Sequence, residues 1–87
     1  MISATKIGTI VHRDGGHRVS LFIGRNSNTD EIIVWVQHDG LRANRVTGRN
    51  LSKLVDDLEF LLNEGQASWS GEPNHFALDY LIGSVRS

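Results

Sequence analysis

Hydrophobic positions along the chain follow two periods. Short runs in which apolar and polar residues alternate fill the first half, and longer runs at helical spacing fill the second. The clearest is 50–65, where Leu51, Leu54, Val55, Leu58, Leu61 and Leu62 recur at the i, i+3, i+4, i+7 spacing of one helical stripe. Lys53, Asp56, Asp57, Glu59 and Glu64 take the other side, so one face seeks a core and the other water. Asn50 is positioned to cap the N-terminus, and Gly65 to let the chain leave in a left-handed turn.

The first half predicts strands. In 5–13, Ile7 and Val11 alternate with Lys6, Gly8 and His12, although Ile10 breaks the two-residue period. Asp14-Gly15-Gly16 supplies the positive φ angles of a tight hairpin, and 17–24 resumes with Val19, Leu21 and Ile23 on one face and Arg18, Ser20 and Phe22 on the other. The polar cluster 25–30 is a predicted loop. A third strand, 31–37, is apolar on both faces, with Ile32, Val34 and Val36 on one and Ile33 and Trp35 on the other. Asp39-Gly40 signals a second turn, and 41–47 returns as a weak fourth strand with the look of a solvated edge. Beyond the long helix, 66–73 is a predicted loop holding Trp69, and 74–85 a second helix with Phe76, Tyr80 and Leu81 on one stripe and Leu78, Ile82 and Val85 on another. The expected fold is α+β: a four-stranded antiparallel β-meander followed by one long amphipathic helix and a shorter C-terminal helix, as a single domain over 1–87.

Composition narrows the function classes. A chain of 87 residues buries only about 60–65% of its unfolded surface, so its core is small. The absence of cysteine removes disulfides, thiolate metal sites and thiol nucleophiles. A net charge of -1 argues against a binder that works by overall positive charge and leaves local patches open. No apolar run approaches the roughly 18–20 residues of a membrane span, and no secretory signal is visible, so a cytoplasmic protein with no membrane partner is expected.

Three groups of residues are candidates for chemistry. Phe22, Ile33 and Trp35 would form a second apolar face that two helices cannot also cover, which predicts a protein-interaction module that pairs as a homodimer. Arg42, Arg45, Arg49 and Lys53 run from the last predicted strand into the helix and could face one anion, which makes single-stranded nucleic acid the alternative, with Trp35 or Trp69 as a stacking surface. His12, His17 and His38 are the raw material of a small enzyme, a third reading. No serine sits in a nucleophile-elbow pattern and no glycine motif cradles phosphate, so no catalytic residue, metal ligand or cofactor is assigned.

The order strand, Asp39-Gly40, strand, Gly48, helix beginning at Leu51-Ser52 has a distant resemblance to the strand-rich, one-helix domains of a transcriptional coactivator family. The resemblance spans about a third of the chain and implies dimerisation and single-stranded nucleic-acid binding. The dense lysines and helix tryptophan of that family are missing, so no residue role carries over.

Overall fold

The computed structural model describes residues 3–86. Seven elements follow in order: β1 (Ala4–His12), β2 (Arg18–Arg25), β3 (Ile32–His38), β4 (Asn44–Val46), α1 (Asn50–Asn63), β5 (Ala67–Trp69) and α2 (His75–Arg86). The fold is α+β, with an antiparallel sheet of five strands rather than four, in the order β4-β3-β2-β1-β5. The first four strands form a meander. After α1 crosses the sheet, β5 adds to the free edge of β1, pairing Ala67 with His12 and Trp69 with Ile10. This segment lies inside the predicted loop 66–73. Three residues are too few to show a period, and their extended conformation comes from the edge they pair with. The fourth strand is correspondingly shorter than predicted, confined to Asn44–Val46.

The irregular period of β1 has a local cause. Lys6 pairs with Phe22 and Gly8 with Leu21, so Ile7 is an extra residue in a β-bulge. The bulge lets Ile7 and Ile10 both reach the core, at 1% and 3% exposure, and turns Val11 to the opposite face. Its consequence is a sheet with one apolar face built from Ile7, Ile10, Val19, Leu21, Ile23, Val34 and Val36.

Both helices cover that face. Leu51, Val55 and Leu58 from α1 and Ala77 and Leu81 from α2 complete the buried cluster. The N-cap of α1 is Arg49, one residue before the predicted Asn50, and it makes no side-chain cap hydrogen bond. The C-terminus closes as predicted at Gly65, with φ 70°: the Gln66 N–H donates to the Leu61 carbonyl and the Gly65 N–H to that of Leu62, the paired bonds of a Schellman motif. At the start of α2 the Asn74 side chain accepts from the Ala77 N–H at 3.1 Å. The helix turns Ala77 and Leu81 inward and leaves Phe76 91% and Tyr80 45% exposed, so of the predicted stripe Phe76, Tyr80 and Leu81 only Leu81 reaches the core. Leu78, Ile82 and Val85, the second predicted stripe, pack partly buried against the core.

Candidate nucleic-acid interface

The other face of the sheet carries no helix. Pairing places Lys6, Phe22, Trp35 and Arg45 in one row across β1, β2, β3 and β4. The row is two aromatic rings flanked by two cations, spanning three strand spacings or about 14 Å between the outer Cα atoms. A second row, Thr9, Ser20 and Gln37, is polar, with the Thr9 and Ser20 hydroxyls hydrogen-bonded at 3.0 Å. A third holds Val11 and Arg18. The Arg18 guanidinium crosses over β1 to donate to the Ser70 hydroxyl at 2.9 Å.

Trp35 is fixed by its neighbour. A Cβ on Gly24 would lie 3.0 Å from Cζ3 and 3.2 Å from Cη2 of the indole, so the benzo ring rests on the Gly24 backbone of β2. Glycine is required there for the ring to lie against the sheet. Phe22 and Trp35 are both half-buried, each with part of its surface open to solvent. Ile33, expected as the third member of this patch, is 0% exposed and cannot contact a partner.

Charge is segregated between sheet and periphery. All ten acidic residues lie outside the strands, in the helices and connections, whereas Lys6, Arg18, Arg25 and Arg45 lie within them. Three of these four, Lys6, Arg18 and Arg45, project on the open face, and Arg25 lies at the other side's edge, 5.6 Å over the Tyr80 ring and paired with Asp30. The predicted cluster of Arg42, Arg45, Arg49 and Lys53 is divided by the fold. Arg45 joins the aromatic row, Arg42 is exposed in the β3–β4 connection, and Arg49 and Lys53 stand at the start of α1 in the helical layer. None of these four makes an ion pair among the described residues; of the acids of α1, Asp56 and Glu59 both receive Arg86 of α2, whose guanidinium pKa is raised by its bond to Glu59. Sequence reasoning missed Lys6 and Arg18, whose signal was their place in strands that contain no acid.

The histidines gather at one end of the sheet. His12, His17 and His38 line a single concavity of about 780 Å³ with Arg13, Asp14, Gly65 and Gln66. Beside it Asp39, in the turn after β3, accepts the Arg18 N–H at 2.8 Å and meets His17 Nδ1 at 3.1 Å. These two contacts, the backbone bond first, hold the Asp39 carboxyl below its usual range. Among the described residues no group of three His, Cys, Asp or Glu is arranged to hold a metal ion, and no helix is long and apolar enough to cross a membrane.

No family model, curated protein or solved structure matches the chain.

Proposed function

We propose that the protein binds single-stranded nucleic acid on the open face of its sheet. The observation that carries this reading is the row Lys6, Phe22, Trp35, Arg45 on a sheet whose strands contain no acidic residue. Bases have π faces that stack on aromatic rings, and the phosphates between them need cations close by. Phe22 and Trp35 supply the first, and Lys6, Arg45 and Arg18 the second. The Thr9, Ser20 and Gln37 row offers hydrogen-bonding groups to the edges of stacked bases.

The test is fluorescence titration of the protein with short single-stranded oligonucleotides at low salt, with a duplex of the same sequence as control. Phe22→Ala should weaken single-strand binding about 5- to 150-fold, corresponding to the roughly 1–3 kcal/mol of one stacked base. Absence of single-strand binding by the wild type, or equal affinity for the duplex, overturns the reading. A melting curve of Phe22→Ala separates lost stacking from lost folding.

A homodimer formed through Phe22 and Trp35 is the second reading, favoured by the two part-exposed rings. A two-fold pairing of this face would set Lys6, Arg18 and Arg45 against the same residues of the other copy, and like charges oppose that contact. Sedimentation decides between the two: a dimer that Trp35→Glu converts to a folded monomer supports self-association.

A further inference from the structure

One polar side chain on the open face is unengaged. Gln37 is half-buried two residues along β3 from Trp35, and its carboxamide makes no hydrogen bond among the described residues. Its neighbours in the polar row are already committed, since the Thr9 and Ser20 hydroxyls bond to each other. Phe22 pairs with Trp35 and Ser20 with Gln37, so Gln37 is the diagonal neighbour of Phe22, about 7–8 Å away between Cα atoms and within reach of a long side chain. Trp35 does not close the gap between them. Its benzo ring rests on Gly24, which lies on the far side of Phe22 from Ser20, so the indole leans away from Gln37.

The corner bounded by Phe22, Ser20 and Gln37 also holds no cation. Lys6 stands on the β1 side of Phe22, Arg45 lies beyond Trp35, and the Arg18 guanidinium is drawn across β1 to Ser70. A base stacked on Phe22 therefore meets, at the edge turned toward β3, a neutral group that both donates and accepts. The N7 and O6 edge of guanine offers acceptors only and suits a guanidinium, whereas the adenine N6 donates beside the N7 acceptor, a pattern that a glutamine side chain matches with two bonds. In an unpaired adenine the same N6 also stands beside N1, so both of its open edges present one donor next to one acceptor. We infer, on the basis of the single-strand binding proposed above, that the base stacked on Phe22 is adenine, selected by Gln37 through the 6-amino group and the ring nitrogen beside it.

The test is fluorescence titration of the intact protein with oligothymidylates of one length that carry at the centre a thymine, an adenine, a guanine or a purine, the last being adenine without its 6-amino group. Purine keeps the fused rings of adenine, so that pair separates the hydrogen bonds from stacking. The wild type should bind the adenine strand about fivefold or more tightly than each of the other three. Gln37→Leu, which keeps the bulk and removes the polar atoms, should bind the adenine and purine strands alike and the all-thymine strand as the wild type does. Equal wild-type affinity for adenine and purine, tightest binding of guanine, or an adenine preference that survives Gln37→Leu each overturns the selection by Gln37 and leaves single-strand binding standing. Absence of wild-type binding to every strand overturns both.

Discussion

Asp39 sits at φ 47° and Gly40 at φ 76°, and the Leu41 N–H donates to the His38 carbonyl, so the two residues form the type I′ turn that closes β3. Asn tolerates that left-handed angle as well as Asp does, which makes Asp39→Asn a clean probe of the charge. The native carboxyl has a lowered pKa, through the Arg18 N–H first and His17 second, so its contribution to stability is full above the unfolded carboxylate range and is lost as pH falls through the folded value. Asp39→Asn should therefore flatten the loss of stability below about pH 4 and leave the shape of the curve above it unchanged, as acid-titrated melts would show. At Gly24, a methyl would meet the Ser3 carbonyl at 2.7 Å as well as the indole. Gly24→Ala should destabilise by about 1–3 kcal/mol and shift the Trp35 emission, an overpacking effect readable in one fluorescence-monitored melt. Both turns and the alternation of β2 and β3 were legible, because positive-φ residues and a two-residue period are local signals. The support of Trp35 by Gly24 was not, since it depends on which residue of the neighbouring strand lies beside the ring.

At the scale of elements, α1 closes the core because its stripe meets the sheet at Leu51, Val55 and Leu58, at 8%, 0% and 5% exposure. Leu58→Ala should destabilise by about 2–5 kcal/mol, a large share of what a small domain has, and urea melts would measure it. Truncating Arg86, which ties α2 to Asp56 and Glu59 on the surface, should cost far less, because exposed pairs gain little over water. Periodicity made α1 readable because fourteen residues repeat one stripe. It failed for β5, whose strand character is conferred by the open edge of β1, and it misassigned Phe76 and Tyr80, because α2 has apolar residues on more than one side and a helical period alone does not say which side meets the sheet.

For the whole molecule, the decisive property is where charge lies, and a net charge of -1 hides it. Composition averages over the chain, whereas the sheet collects Lys6, Arg18 and Arg45 from three separate segments onto one face and leaves every carboxylate in the connections and helices. Basic residues near in sequence, Arg45 with Arg49 and Lys53, are separated by the fold, whereas Lys6 and Arg45, far apart in sequence, stand in one row. If these three cations meet phosphates, binding to a single strand should fall with salt at a logarithmic slope of about −2, from roughly 0.7 released counterions per contact. Lys6→Ala with Arg45→Ala removes two contacts and should leave a slope of about −0.7, while Arg49→Ala with Lys53→Ala, in the helical layer, should leave it near −2. Affinities measured across a salt series for the wild type and both double variants make the comparison. A slope that follows Arg49 and Lys53 instead would move the interface to the start of α1, and a wild-type slope near zero would remove phosphate contact from the mechanism.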